Sequence, residues 1–423
     1  MTDRDCEVAI VGAGPAGLAT AMHLIRLDAT WADRLVVLEK EVHPRHKLCG
    51  GAITRFGLDQ LSRLGLTLDV PFVPIDELRL QYRNQAVNVY GRPIVAVTWR
   101  QEFDAWLAST ARNKGVAVHE DTPVQGLERQ GNRILLHTPR GSYRARAVVG
   151  ADGSTGLVRR WVGARERPPH VARLLEVVTE AAGDEPEYRY RMARLDFSGL
   201  RARLQGYYWD FPSLIEGDPR MNSGVYDARV DTSRARASLP DHLTVGILHG
   251  ERRGEKLKVQ GHPIHWFSPA NQFSAPGVVL VGDAAGADPL FGEGIGVGLA
   301  YGTVAANAIR RASLRHDFSF ASYRRRLLVS SLGRYLIRRW LLGLVSYRFG
   351  GVDLFVRALW RTGKLFAPLA NKNSPSPAIR SPLEGAGARP PAPEEAAIRS
   401  ARRSRLPASD TIQSLGQFGG KTE

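Results

Sequence analysis

The stretch Glu7-Val8-Ala9-Ile10-Val11-Gly12-Ala13-Gly14-Pro15-Ala16-Gly17 decides the fold. Its short apolar run, bounded by glycine, reads as a buried strand, and the helix formers continuing to about Leu27 read as a helix. Gly12 allows a tight turn, Gly14 lets the backbone approach a pyrophosphate, and Gly17 lets the helix pack on the strand. The N–H groups and the helix dipole at such a turn favour phosphate charge. A second apolar strand, Leu35 to Leu38, ends at Glu39, 22 residues after Gly17, where a carboxylate can accept ribose hydroxyls. Strand, helix and acid together read as a dinucleotide-binding βαβ unit; the competing reading is an ordinary strand–helix turn.

A second signal lies far along the chain. Val279-Leu280-Val281-Gly282-Asp283 is an apolar strand ending on an aspartate, followed by Gly292-Glu293-Gly294-Ile295-Gly296 and a helix to about Arg311. Asp283 can bind a polyol hydroxyl or merely cap a turn. The N–H groups at Gly294–Gly296 open a helix whose positive end suits a developing negative charge. Gly150-Ala151-Asp152-Gly153-Ser154 is a third glycine–aspartate turn, and Arg100 stands at the start of a helix read from about Gln101 to Asn113. Arg100 can reach a phosphate or stay solvated at its helix end. Glu77–Arg83, Ile94–Thr98, Leu174–Thr179, Tyr188–Leu195, Gly206–Phe211 and Met221–Val230 read as strands, and the whole stretch from Val171 to Phe267 reads as strand-rich.

These motifs, in this order from Glu7 to about Arg311, resemble the flavoprotein hydroxylase-type (glutathione reductase-like) superfamily. Lys47-Leu48-Cys49-Gly50-Gly51-Ala52 resembles the Cys-Gly-Gly loop of the geranylgeranyl reductase family, and Tyr207-x-Trp209-x-Phe211-Pro212 resembles its substrate-domain signature. Leu204 stands where the fuller signature has proline. The resemblance implies an α/β fold: a Rossmann-like FAD-binding domain (1–76, 94–165, 268–330) with an inserted strand-rich α+β substrate domain (77–93, 166–267). Basic amphipathic helices (331–370) and a disordered Pro/Ala/Ser/Arg-rich tail (371–423) follow. It further implies FAD contacts at Gly12, Ala13, Gly14, Ala16, Gly17, Glu39, Lys40, Cys49, Gly50, Arg100, Val124, Asp152, Asp283, Gly294, Ile295 and Gly296, with Val124 on the strand after the Arg100 helix. Without a second Gly-x-Gly-x-x-Gly, NADPH or a ferredoxin-type donor must visit transiently as reductant.

The implied activity is reduction of C=C bonds of a polyprenyl chain on a lipid, quinone or pigment precursor, with hydride from flavin N5. Cys49, Tyr207 and Trp209 are the candidate catalytic residues, and Tyr207, Trp209 and Phe211 the candidate substrate contacts, since alternate residues share one strand face. The plainer readings are a core stripe for the aromatics and a small buried hydrophobe for Cys49. The proton comes from Cys49, Tyr207 or water. Two other functions fit the same pattern: a flavin monooxygenase or halogenase-like enzyme, and a non-catalytic FAD-bearing lipid binder.

Composition narrows the rest. The 423 residues carry a net charge of +16, of which +11 lies between Arg310 and Lys364. So local a charge disfavours a nucleic-acid binder and points to one surface. Arg334, Arg338, Arg339, Arg348, Arg357 and Arg361 interleave with large apolar residues, which suits an anionic membrane surface or simply the outer face of packed helices. Two cysteines, Cys6 and Cys49, exclude a disulfide framework or four-cysteine metal site, and no metal is expected. With no apolar run of about 18 residues and no room for a signal peptide, a cytoplasmic, peripherally membrane-associated protein is expected. Oligomeric state has no sequence signature here.

Overall fold

The computed structural model describes residues 4–163, 171–181, 185–249, 258–370 and 379. The expected disordered tail lies outside the described residues, Ile379 apart. The chain opens with β1 (Arg4–Val11), α1 (Pro15–Leu27) and β2 (Leu35–Leu38). Next come β3 (Ala52–Thr54), α2 (Arg55–Arg63), β4 (Phe72–Tyr82), β5 (Gln85–Thr98) and α3 (Arg100–Asn113). Strands β6 (Val118–His119), β7 (Gly126–Gln130), β8 (Arg133–Thr138) and β9 (Gly141–Gly150) precede α4 (Leu157–Trp161) and β10 (Val171–Glu180). Then follow α5 (Pro186–Arg189), β11 (Met192–Asp196), β12 (Gly206–Ile215), β13 (Asp218–Asp227), α6 (Leu239–His249), β14 (Gln260–His265), β15 (Ser274–Ala275) and β16 (Val278–Leu280). Four helices close the chain: α7 (Ile295–Arg315), α8 (Tyr323–Val329), α9 (Ser331–Arg348) and α10 (Asp353–Ala370).

The first sheet has the order β15-β16-β9-β1-β2-β6, with the β7–β8 hairpin attached to β9. β1 runs parallel to both β2 and β9, and Val8 to Val11 are buried, which is why this strand is continuously apolar. Gly12 holds φ +106°, and a Cβ there would lie 2.4 Å from the Ala151 carbonyl oxygen. A Cβ on Gly17 would lie 2.1 Å from the Gly12 carbonyl oxygen. Both contacts force α1 down onto the strand ends, so its N-terminus opens at the carboxyl edge of the sheet. Helix α7 crosses α1 closely at Gly302, where a Cβ would lie 2.7 Å from the Ala19 backbone, and at ordinary contact distance where Gly298 meets Ala16.

The second sheet has the order β14-β10-β13-β12-β11-β4-β5-β3, antiparallel except for β11 beside β4. One face buries Tyr82, Phe197, Tyr207, Trp209 and Tyr226 under Tyr347 of α9 and Trp360 of α10. The other buries Val177, Tyr208 and Val225 under α6.

Three expectations are corrected. Leu239–His249 is a helix inside a stretch read as strands, because Leu239, Leu243 and Ile247 recur every four residues and cover that second face. Tyr188 begins no strand: Pro186 opens a helical turn, Arg191 turns at φ +50°, and the strand starts at Met192. Val124 lies in the connection between β6 and β7, half-buried, rather than on a strand. No described helix is long and apolar enough to cross a membrane.

The α1–α7 crossing gives a direct test. Gly302→Ala would gain about 1 kcal/mol of helix propensity, but its Cβ would meet Ala19 backbone at 2.7 Å. Overpacking of about 1–3 kcal/mol exceeds that gain, so chemical denaturation is expected to show a less stable variant. Equal or higher stability would mean that the two helices separate without cost.

Candidate active site

The carboxyl edge of the first sheet gathers a set of donors. Gly14 caps α1, with Pro15 fixing the first turn. Glu39, buried at the end of β2, accepts the N–H of Ala13 at 2.7 Å and of Glu41 at 3.1 Å. Arg100 forks onto buried Asp104, with Nε 2.9 Å from Oδ1 and Nη2 2.8 Å from Oδ2. Arg45, which the sequence did not single out, reaches the same Asp104 at 3.3 Å. Its guanidinium lies 3.6 Å from where a Gly14 Cβ would stand, and its Nε is buried without a hydrogen-bond partner among the described residues. A helix N-terminus, a glycine with no side chain to obstruct it and a guanidinium held by Asp104 and, at 3.6 Å, by Glu39 fit a pyrophosphate; Glu39 fits the adjoining ribose.

Other expected contacts divide. Asp283 faces Lys47 and His262, and its Oδ1 is 3.5 Å from where a Gly294 Cβ would lie. Gly294 and Ile295 open α7, and Gly296 is pressed against Gly57 of α2. Ala16 sits in the first turn of α1 against Gly298 and Gly282. Asp152 instead accepts the Val158 N–H at 2.8 Å, shaping the turn into α4. Burial raises its pKa above the ordinary aspartate value, which that N–H only partly offsets. Lys40 is exposed and turned toward Glu41 at 3.6 Å, so only its backbone adjoins the cradle.

Opposite the cradle, the Cys49–Gly51 loop lies on the aromatic stripe. Gly51 adopts φ +72°, and its missing side chain admits the Thr98 carbonyl. A Cβ on Gly50 would stand 3.1 Å from Phe211 and 3.3 Å from the Trp209 Nε1. The Cys49 sulfur accepts the Gly51 N–H at 3.4 Å and interacts with the Arg100 guanidinium. Thus α3 carries one cation shared by the cradle and the thiol. Tyr207, Trp209 and Phe211 do share a face, with successive ring centroids 6.4 Å apart. The Tyr207 hydroxyl donates to the Phe291 carbonyl at 2.5 Å, and burial drives its ionisation far above the ordinary range. Its proton is committed to that carbonyl, so the side chain anchors a loop. The Trp209 indole donates to Asn222 at 2.9 Å, and the Asn222 amide donates to the Cys49 carbonyl at 3.3 Å.

Glu176 completes this group. It is 3 % exposed on β10, its charged form is favoured by the nearby Cys49 N–H and Asn222 amide, and its Oε2 has no hydrogen-bond partner among the described residues. Burial pushes its carboxyl up to about 7, against which those donors and Arg100 act weakly. A lone carboxylate within Leu174-Leu175-Glu176-Val177-Val178 is a sequence signal that could have found it. Beside it, Lys47 Nζ lies 3.2 Å from His262 Nε2. Burial lowers Lys47, and burial with the Lys47 charge lowers His262 to about 4.

The sequence profile of the FAD binding domain family matches residues 5–302. The chain belongs to that family. This FAD-binding protein is 24% identical over 368 residues to digeranylgeranylglycerophospholipid reductase of Picrophilus torridus, covering 79% of this chain and 85% of that one. It is 26% identical over 381 residues to menaquinone reductase of Mycobacterium tuberculosis, covering 79% and 86%. Among solved structures it resembles a geranylgeranyl bacteriochlorophyll reductase-like protein of Thermoplasma acidophilum, with TM-score 0.70, 18% identity and coverage of 89% and 94%. The protein is an FAD-dependent oxidoreductase related to geranylgeranyl reductases.

In this FAD-binding protein the loop Asp288–Gly292 is locked from several sides. Asp288 accepts the N–H of Leu290 and Phe291, and Arg339 of α9 binds it at 2.8 Å. Arg339 also lies 3.6 Å from Glu293, which accepts from Thr54 at 2.5 Å and Tyr335 at 2.6 Å. Arg339, expected to face lipid headgroups, therefore points inward, stacked over Phe291 and Tyr335 to serve two buried carboxylates. Trp340 likewise packs against the core. Arg334, Arg338, Arg357 and Arg361 remain exposed.

Glu176 yields a pH prediction. Its folded-state value of about 7 exceeds the ordinary 4.5, so the folded protein holds the extra proton and loses stability as pH rises between those values. Glu176→Gln removes the loss, by up to about 3 kcal/mol. Melting curves of both proteins from pH 5 to 8 are expected to diverge upward in favour of the variant; parallel curves would place an ionised carboxylate there throughout.

Proposed function

We propose that this enzyme saturates C=C bonds of a polyprenyl chain on a lipid, quinone or pigment precursor while resting on an anionic membrane surface. The observation that carries the reading is the Cys49–Gly50 loop laid on the Tyr207–Trp209–Phe211 face, with Arg100 joining the thiol to the cofactor cradle. Aromatic faces suit an unsaturated hydrocarbon chain, which offers no hydrogen bond. The relatives named as reductases of a digeranylgeranyl lipid and of menaquinone support the substrate class.

Arg45, Arg100, the Gly14 turn and Glu39 would hold FAD, and Asp283 with the α7 N-terminus would hold its other end. Reduced FAD held there would supply the hydride for one alkene carbon. Cys49 supplies the proton to the other, since the Tyr207 hydroxyl is already spent on Phe291. Arg100 faces the sulfur and steadies the charge left on it. NADPH or a ferredoxin-type donor would supply the electrons between turnovers.

The membrane part rests on Leu341, Leu342, Val345, Phe349, Val352 and Leu354, all at least 47 % exposed along α9, its end and the start of α10. Arg338, Arg348 and Arg357 flank them, the last two paired with Asp231 and Asp353.

Chemically reduced enzyme, incubated without oxygen with prenyl lipids, is expected to yield products carrying two added hydrogens per double bond by mass spectrometry. Cys49→Ala is expected to slow this about 10²-fold or more at unchanged FAD content. Unaltered lipids across a broad panel would end the reductase reading. Leu342→Glu with Val345→Glu is expected to cut cosedimentation with anionic vesicles at least about tenfold; undiminished binding would place the membrane contact elsewhere.

A further inference from the structure

We infer that Glu176 is a second proton-carrying residue of this site, paired with Cys49 and returning to it the proton that each reduction consumes. The inference rests on the reductase reading for its chemistry and on the geometry of β10, β12 and β13 for its placement.

Across the sheet, Trp209 pairs with Gly224, and Gly224 pairs with Glu176. A Cβ on Gly224 would stand 2.3 Å from the Trp209 ring, so only glycine lets the indole lie across that strand toward the carboxyl. Glu176 and Leu174 share the face that carries Tyr226 and Trp209. The carboxyl thus belongs to the aromatic site, with Oε2 unsatisfied among the described residues and the backbone N–H of Cys49 and the amide of Asn222 as polar neighbours. A buried unpaired acceptor costs about 1–3 kcal/mol, a cost that a proton held on the carboxyl lessens.

The proton balance follows. The hydride pair reaches one alkene carbon; the other carbon takes the Cys49 proton, and the S–H bonding pair stays on sulfur. The O–H bond of Glu176 then breaks toward that sulfur, leaving a carboxylate, and water reprotonates it. Reduced FAD is the reductant, and no other reagent is needed. The charged and titratable groups facing this corner are Arg100 from α3, Cys49 and Lys47 from the loop, His262 from β14, Asp283 beside Lys47 and His262, Tyr207 from β12 and Tyr226 from β13, which also contributes uncharged Asn222. Of these, His262 is neutral at pH 7.

The test uses the FAD-loaded enzyme and iodoacetamide, with labelling at Cys49 and Cys6 read separately by peptide mass spectrometry. In the wild type, the rate of Cys49 labelling against pH is expected to show a step near 7, where ionised Glu176 begins to oppose the thiolate. Cys6, pushed up to about 12 by burial, serves as the control and shows none. Glu176→Gln is expected to erase the Cys49 step and to slow single-turnover lipid reduction about 10²-fold at unchanged FAD content. A wild-type profile without the step overturns the pairing whether or not the variant folds, and a step that survives in Glu176→Gln overturns it too. If no prenyl lipid is reduced while the step is present and glutamate-dependent, the substrate reading fails and the Cys49–Glu176 coupling stands.

Discussion

The aromatic face of the second sheet cannot be left in water, and most of the site follows from how it is covered. Tyr207, Trp209, Phe211 and Tyr226 project from neighbouring strands, each burying roughly 150–250 Å² of side-chain surface. Three pieces of chain close over them: the Cys49 loop, the Asp288–Gly292 loop and the helices α9 and α10. Each arrives by a different route, and each brings chemistry that the sheet lacks. The first carries a thiol, the second precedes the N-terminus of α7, and the third supplies Arg339.

Hydrogen bonds fix the register of that cover. Tyr207 donates to Phe291, Tyr226 to Pro289 and Tyr347 to Leu290, so three consecutive carbonyls of one loop are each taken by a tyrosine. Arg339 adds an ion pair to Asp288 in the interior. A buried pair of this kind gives little net stability, because desolvation consumes most of the attraction, but removing one partner strands the other at about 3–5 kcal/mol. The network therefore acts less as glue than as a selector of one loop conformation, and it ties the helix that bears the exposed apolar residues to the loop before α7.

Legibility in the sequence follows the range of the interactions. The opening turn was readable because Gly12, Gly17 and Glu39 act on neighbours within one βαβ unit, and the two ends of the cofactor site carry local glycine patterns. The alternating aromatics were readable as one face because strand parity is local. Helix α6 was missed because its apolar spacing was submerged in a region of real strands, and its role, covering Val177, Tyr208 and Val225, is tertiary. Arg45 and Asn222 had no motif at all; their meaning comes from Asp104 and Cys49, far away in sequence. Glu176 was missed although its apolar neighbours could have marked it, and nothing local says which sheet face it occupies.

The basic C-terminal segment shows why a charge count is not a surface. Its balance of +11 suggests an electrostatic patch, but Arg339 is neutralised inside, Arg348 pairs with Asp231, and Arg357 with Asp353. What remains outward includes Arg334, Arg338, Arg361 and Lys364, each worth about 1 kcal/mol beside an anionic leaflet. An exposed leucine or phenylalanine that becomes fully buried is worth roughly 1.5–3 kcal/mol, and the same helices expose Leu341, Leu342, Val345, Phe349 and Leu354. Apolar insertion therefore outweighs charge in any membrane contact this face makes. In such a contact the exposed arginines would set leaflet preference and orientation, while the inward arginine holds the site's own loop.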